Sequence, residues 1–321
     1  MARNVTISAI GGPYPKVDPA LDYDDMWEKV KEHWTKQIEL VAPDKPDLIV
    51  FTEMCDLPFP SSYQMDFAVK FADARGNANF NFFSRAAKEH NANVSFTTLA
   101  RGKGDYYTNT MFLMDRNGKI AGQYDKYYVT GGENDANILY GESAPVFKLD
   151  IGAVACAICF DLNFEDLRDR YKTSRPELIL FASQFHGGLM QQTWANTIRA
   201  YFVGSIAHQR PSAVLSPLGE TVAYSTDYYN HATAKINLDY ALVHLKEKEA
   251  ADALKKKYGA GITLYDPCYL GYFMLTNEMP GVSVGELLAE FGITSFGDYM
   301  EQSRERRNRP GNRGKSADVT F

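Results

Sequence analysis

The stretch VACAICFDLNFEDLRDRY, from Val154 to Tyr171, constrains the fold most strongly. Its first six residues are apolar without alternation, as in a strand covered on both faces. The residues after Cys159 read directly as helix, so the segment is a strand-to-helix unit of the kind that builds α/β proteins. Cys159 stands at the junction, where a helix N-terminus is expected to lower the thiol pKa and favour the reactive thiolate. Two other strand ends carry matching chemistry. Glu53 closes the apolar run DLIVFTE, and Lys126 follows KIAGQYDK. A carboxylate, an ammonium and a thiol, each at or just beyond a strand's end, are the parts of a thiol acyl-transfer site.

The rest of the chain fits an α/β protein with a mixed sheet. Val5 to Ile10 reads as a first strand. Trp27, Val30, Trp34, Ile38 and Val41 recur at helical spacing after the acidic turn Asp22, Asp24 and Asp25. Phe80, Phe83, Ala86 and Ala87 mark another helix. Residues 93–124 read as three strands joined by the turns RGKGD and DRNGK. Residues 127–145 show little periodicity and form a long, Gly-, Asn- and Glu-rich connection. ELILFAS is a further strand, residues 193–202 fit a helix, and VGSIAHQ, PSAVLSP and ATAKINLD are late strands. Residues 241–258 are expected to form a surface helix rich in Lys and Glu. No linker interrupts residues 5–258, so residues 1–258 are expected as one domain. Residues 259–321 then form a C-terminal extension ending in the basic run RERRNRPGNRGKSADVTF, either a solvated, partly disordered tail or an arm on a second subunit.

Composition excludes several classes. The 321 residues are 45% hydrophobic and 23% charged, which suits a globular protein with a large core. The net charge of −6 argues against a nucleic-acid binder. Four scattered cysteines make no disulfide framework. The N-terminus lacks the pattern of a signal peptide and no apolar run reaches membrane-spanning length, so the expected compartment is the cytoplasm.

Each candidate has a plainer reading. A buried cysteine is most often a small core hydrophobe, and Cys156 suits that role. In an extended strand residues three apart point to opposite faces, so Cys156 and Cys159 do not face one another as a redox or zinc pair would. Asn163 is a candidate helix cap with Asp166 three residues on, which would leave the Phe160 N–H free to face a developing oxyanion. None of the six histidines lies in a signature of histidine-assisted cysteine enzymes. Glu53 is therefore the better candidate for the base, and Lys126 the group that would stabilise negative charge.

The ordered trio resembles the nitrilase superfamily of carbon–nitrogen hydrolases. DLIVFTEM is similar to the strand ending in that family's base glutamate, GQYDKYY to its lysine motif, and GAVACAICFDLNFEDLR to its nucleophile motif. The resemblance runs from about Val5 to Asp239. It implies a four-layer αββα sandwich, subunits packed through a helical layer as a homodimer or higher oligomer, and no metal or organic cofactor. It implies Glu53 as general base, Lys126 as oxyanion and thiolate stabiliser, and Cys159 as nucleophile. A second glutamate after the lysine is implied as well, with Glu133 favoured over Glu142. Phe160-Asp161 stands where the nitrilase branch has Trp-Glu, which is closer to the amidase and carbamoylase branches. Asn163-Phe164-Glu165-Asp166 replaces the usual Arg-Phe-Pro-Glu, and Tyr127 and Tyr128 stand where a histidine is common.

The expected activity is hydrolysis of a non-peptide C–N bond, in an amide or N-carbamoyl compound, through a thioester on Cys159. Phe160, Gln184, Phe185 and His186 are expected to meet the small-molecule substrate. Alternatives are a nitrilase, an acyltransferase passing the acyl group to an amine, a redox protein using the Cys156–Cys159 spacing, or a scaffold that has lost activity. Neither nucleic acid nor membrane is an expected partner.

Overall fold

The computed structural model describes residues 2–58, 64–208 and 210–314. They fall into two compact units, one of residues 5–236 and one of the residues from 237 onward together with the first few of the chain.

The larger unit holds two six-stranded sheets of similar design. Strands of the first are β1 (Asn4–Ile10), β2 (Leu48–Phe51), β3 (Asn93–Arg101), β4 (Tyr107–Met114), β5 (Ile120–Asp125) and β12 (His231–Asn237). They are ordered β12-β1-β2-β3-β4-β5. The second is built from β6 (Phe147–Leu149), β7 (Gly152–Ile158), β8 (Leu178–Ser183), β9 (Tyr201–Ile206), β10 (Ala213–Leu215) and β11 (Thr221–Tyr224). Its order is β11-β10-β9-β8-β7-β6. In each sheet three central strands run parallel, β1-β2-β3 and β7-β8-β9, and antiparallel strands extend the edges.

Helices cover the outer faces. On the first sheet lie α1 (Tyr23–Val41), α2 (Met65–Arg75) and α3 (Ala78–His90). On the second lie α5 (Glu165–Ser174) and α6 (Leu189–Ile198), while α4 (Gly131–Asp135) is one short turn beyond β5. The spacing of Trp27, Val30, Trp34, Ile38 and Val41 buries one face of α1 as expected, and the Asp22 carboxylate caps it by accepting from the Asp25 N–H at 2.9 Å. Alternation in the strands divides the core. Ile49 and Phe51 face α1 and α3, while Leu48 and Val50 turn the other way. Ala155 and Ala157 likewise face the α5–α6 layer, and Cys156 points away from it. The result is the expected four-layer αββα sandwich.

The two sheets are stitched together where their parallel strands end. The Thr52 hydroxyl donates to the Ser183 carbonyl at 3.0 Å, and the Ser205 hydroxyl to the Ile10 carbonyl at 2.6 Å. Gly12 N–H donates to Ile206 O at 3.0 Å, and Gly12 O in turn accepts from His208 N–H at 2.9 Å. Side chains and loops that follow the strands are thereby gathered at one end of the sandwich, where binding sites of parallel sheets form.

The second unit contains a three-stranded antiparallel sheet of β13 (Tyr240–His244), β14 (Ile262–Tyr265) and β15 (Tyr272–Asn277), with β15 in the middle. It also contains α7 (Lys248–Tyr258), α8 (Val284–Glu290) and α9 (Phe296–Asn308). Three expectations change here. The helix expected over residues 241–258 starts only at Lys248, because Leu242 and Val243 pair with Met274 and Phe273 in the sheet. The boundary expected after residue 258 falls at residue 237, so α7 belongs to the second unit. The first part of the basic run, to Asn308, is helix rather than a loose tail, capped by Ser295, whose hydroxyl accepts from the Asp298 N–H. Residues 315–321 lie outside the described residues. In the larger unit the helix expected over residues 193–202 runs from Leu189 to Ile198 and gives way to β9 at Tyr201.

Candidate active site

Strand ends of both sheets converge on one buried cluster. From the first sheet come Glu53, two residues beyond β2, and Lys126, immediately after β5. Asn109 is buried in β4, and Glu133 lies in α4. The second sheet supplies Cys159, directly after β7, and Ser183 at the end of β8. Glu53 and Lys126 are 2% and 1% exposed, which leaves no room for the solvated-loop reading of either.

Lys126 Nζ sits between two carboxylates. It lies 2.9 Å from Glu53 Oε1 and 3.0 and 2.9 Å from the two Glu133 oxygens. Glu133, not Glu142, is the second glutamate that reaches the lysine; Glu142 is exposed. The position of Glu133 follows from its local sequence. Thr130 caps α4 by accepting from the Glu133 N–H, while Glu133 Oε2 accepts from the Thr130 N–H at 2.8 Å. This capping box aims the carboxylate inward. Burial opposes the lysine's charge, but Glu53, Glu133 and the Cys159 sulfur overcome it and hold the ammonium far above its usual range. Burial likewise opposes the charge on Glu133, and the Lys126 ammonium, the Thr130 N–H and Asn109 outweigh it, so its carboxyl is held below the usual value.

The thiol behaves differently from the expectation. Its pKa is pushed up to about 12, chiefly by burial and then by the Glu53 carboxylate, against the opposing influence of Lys126 and the Ser183 hydroxyl. The expected lowering by a helix N-terminus fails for a structural reason. A short 3₁₀ turn, Cys159–Asn163, separates the cysteine from α5, which starts at Glu165. Asn163 does not cap that helix; its side-chain amide donates to the Phe160 carbonyl at 3.0 Å. The thiol is neutral at rest and lies beside the Glu53 carboxylate. Burial also pushes the Cys156 thiol up, with no charged partner, as befits a core residue.

Backbone geometry sharpens the two strand ends. Cys159 has φ 45° and Met54, after Glu53, has φ 47°, both in the left-handed region that costs a non-glycine residue about 1–2 kcal/mol. The kink turns each chain sharply out of its sheet and leaves the side chain at the strand's end facing the seam.

The expected substrate contacts divide. Gln184 uses its backbone N–H to hold Glu53 Oε2 at 3.1 Å. Phe160 and Phe185 are exposed, at 38% and 58%. His186 is half-buried, and its Nδ1 accepts from the Gly188 N–H at 3.1 Å.

Three residues escape a reading of the sequence. Asn109 donates from one side-chain amide to both carboxylates, at 2.9 Å to Glu53 Oε1 and 2.8 Å to Glu133 Oε1. Its one signal is an amide amid the otherwise core-like strand YTNTMFLM. Ser183 reads in sequence only as a residue near a loop, yet its hydroxyl reaches the thiol. Asp161 is fully buried two residues after Cys159. Its carboxylate accepts from the Tyr124 hydroxyl at 2.7 Å, the Ile158 N–H at 2.8 Å and the Tyr128 N–H at 2.7 Å. Even so, burial dominates and its pKa is raised to about 6.

A buried carboxylate, ammonium and thiol thus meet at the seam of an αββα sandwich. The chain belongs to the carbon–nitrogen hydrolase family, whose model matches residues 6–240. It is 21% identical over 211 residues to a "hydrolase in agr operon" of Staphylococcus lugdunensis, covering 60% of this chain and 88% of that protein. It is 21% identical over 238 residues to a chloroplastic omega-amidase of Arabidopsis thaliana, covering 66% of this chain and 63% of that one. Among solved structures, an amidase from Nesterenkonia sp. AN1, a double mutant in complex with acrylamide, superposes with a TM-score of 0.62 at 13% identity, over 73% of this chain and 91% of that chain. The fold is that of the nitrilase superfamily, and the protein is a carbon–nitrogen hydrolase.

Proposed function

We propose that the protein is a thiol amidohydrolase that cleaves a non-peptide amide or N-carbamoyl C–N bond through a thioester on Cys159. The observation that carries this reading is the contact of one carboxylate, Glu53, with both the Lys126 ammonium at 2.9 Å and the Cys159 thiol. The thiol attacks the substrate carbonyl while Glu53 takes its proton. The carbonyl oxygen becomes an oxyanion that Lys126 Nζ and the Phe160 N–H stabilise. Collapse of the tetrahedral intermediate breaks the C–N bond, and Glu53 returns the proton to the departing ammonia or amine. Water then attacks the thioester while Glu53 takes its proton; collapse expels the Cys159 sulfur, which recovers that proton from Glu53, and the acid leaves as a carboxylate, giving its own proton to solvent. Because the thiol is neutral at rest, attack and proton transfer are coupled, and Glu53 acts in every step. Glu133 and Asn109 act through Lys126 and Glu53 as positioning residues.

Amides rather than nitriles are favoured by the amidase relatives and by Phe160-Asp161 in place of Trp-Glu. The same reading takes the protein as a homo-oligomer acting on a free small molecule in the cytoplasm. Among the described residues no helix is long and apolar enough to cross a membrane. The test incubates wild-type and Cys159→Ala protein with amides, N-carbamoyl amino acids and nitriles, and follows ammonia and carboxylate release by NMR. Turnover of amides by the wild type alone supports the reading; equal turnover by both proteins eliminates the thioester.

A further inference from the structure

The chain leaves β2 through a buried segment, Thr52 to Cys55, whose main-chain carbonyls are held from several sides. The register of β2 with its neighbours ends at Phe51, and buried carbonyls beyond it need other donors. The Thr97 hydroxyl, in β3, donates to the Thr52 carbonyl at 2.8 Å. The Tyr14 hydroxyl, in the loop after β1, donates to the Glu53 carbonyl at 2.5 Å. The Met54 carbonyl accepts from the Leu57 N–H at 3.1 Å, and the Cys55 carbonyl from the indole N–H of Trp34 in α1. Tyr14, Trp34 and Thr97 are themselves buried. Three elements thus send a side-chain donor each to one short stretch of backbone.

The bond from Tyr14 bears directly on the reacting carboxylate. Met54 stands at φ 47°, a conformation that a non-glycine residue leaves readily unless it is held. A flip of the Glu53–Met54 peptide would relieve it by exchanging ψ of Glu53 against φ of Met54. That flip turns the Glu53 carbonyl away from Tyr14, so the hydroxyl locks the peptide in its strained form. The carboxylate is tethered separately. Its Oε1 accepts from Asn109 and from Lys126, each at 2.9 Å, and its Oε2 from the Gln184 N–H at 3.1 Å. With the main chain fixed as well, both ends of the Glu53 side chain are pinned, as a near-attack arrangement requires.

We propose that Tyr14 and Thr97 are positioning residues for the reaction, which hold the carbonyls of Glu53 and Thr52 and so set the Glu53 carboxylate against the Cys159 sulfur. They act through the main chain of Glu53 and not on the reacting atoms. The inference rests on the amidohydrolase reading for what Glu53 does once it is placed.

Tyr14→Phe keeps the ring that packs edge-on against His208 at 5.5 Å and removes the donor alone. Its kcat on the best amide is expected to fall about 10–100-fold, with KM within about twofold of the wild type. Thr97→Val should repeat the pattern, and it decides the question if Tyr14→Phe does not fold. Ser205→Ala is the control. It removes a buried hydroxyl from the Ile10 carbonyl, and should lower the melting temperature without that loss of kcat. Thiolate absorbance, read against matching Cys159→Ala proteins, is the second measurement. The Glu53 carboxylate disfavours the thiolate, so a displaced carboxylate raises the signal. Tyr14→Phe should raise it in the wild-type background and add nothing in Glu53→Gln. Wild-type kcat and signal in the folded variants, or an equal rise in both backgrounds, overturns the positioning role. A wild type that hydrolyses no amide removes the amidohydrolase reading and leaves the absorbance to decide the role of Tyr14 and Thr97.

Discussion

Asp161 accepts the Tyr124 hydroxyl at 2.7 Å across the two sheets, tying the end of the strand that carries Lys126 to the turn that carries Cys159. The same carboxylate takes the N–H groups of Ile158 and Tyr128, one residue before Cys159 and two after Lys126. Ionised, it satisfies three donors with two acceptor oxygens. Protonated, it turns one oxygen into a donor facing other donors. Its raised pKa of about 6 comes from burial, so the ionised form prevails above that pH and the brace loosens below it. The wild-type kcat is expected to fall as pH drops through about 6, and Asp161→Asn to lose about 10–100-fold and to lack that acid limb. A pH–rate comparison checks this; an unchanged acid limb in Asp161→Asn assigns the titration to another group.

The Cys159 thiol is pushed up to about 12 with the Glu53 carboxylate as its second cause. Removing that charge in Glu53→Gln leaves Lys126 beside the sulfur, so the thiol pKa must fall. The variant should gain thiolate, read by ultraviolet absorbance against a Cys159→Ala background, while losing about 10³-fold or more in turnover. A thiolate signal that does not rise contradicts the assigned charge contact.

Asn109 holds two carboxylates apart with one amide. Asn109→Ala leaves both without that donor and is expected to cost about 10–100-fold in kcat. Asn109→Asp puts a third carboxylate among them and should be worse at neutral pH. Lowering the pH protonates the cluster and restores a donor, so the aspartate variant alone should recover in part. Parallel pH profiles for the two variants would remove the donor role.

Asp56, three residues after Glu53, and Arg75 form a buried pair at 2.7 Å, and Asn79 and Thr98 also donate to Asp56 Oδ2, at 2.8 and 2.6 Å. Breaking such a pair by removing one member strands a buried charge and costs about 3–5 kcal/mol. Arg75→Ala and Asp56→Ala should each lower the melting temperature sharply, and the double variant should be less damaged than the sum of the two. Additive losses would mean that the pair has no coupling of its own.

Glu53 and Cys159 are legible in the sequence because they stand at the ends of apolar strands; Lys126 follows the largely exposed β5 and is legible only through its place in the ordered trio. Glu133 is reached only through the resemblance, and the structure supplies the reason for its aim, the capping box with Thr130. Asn109 and Asp161 are not legible, because their partners come from other strands and other segments, and sequence spacing carries no record of that. The thiol's state differs from the expectation because burial between two sheets, a tertiary property, outweighs a helix end that the 3₁₀ turn displaces. Residues 241–258 depart from the expected helix for a related reason. A Lys- and Glu-rich composition favours helix locally, but Leu242 and Val243 gain more by pairing with β15.

The division of the cluster between the sheets gives the molecule a natural point of scission. Glu53, Lys126, Asn109 and Glu133 all precede residue 142, and Cys159, Asp161 and Ser183 all follow it. Glu142 and Ser143 are exposed and lie between α4 and β6. A chain cut there yields two polypeptides, one carrying Glu53 and the other Cys159. The carboxyl-terminal piece also carries β12, the edge strand beside β1, so it docks by strand addition as well as by stacking of the sheets. Neither piece holds a complete set of reacting groups, and hydrolysis in a mixture of the two would report their reunion directly.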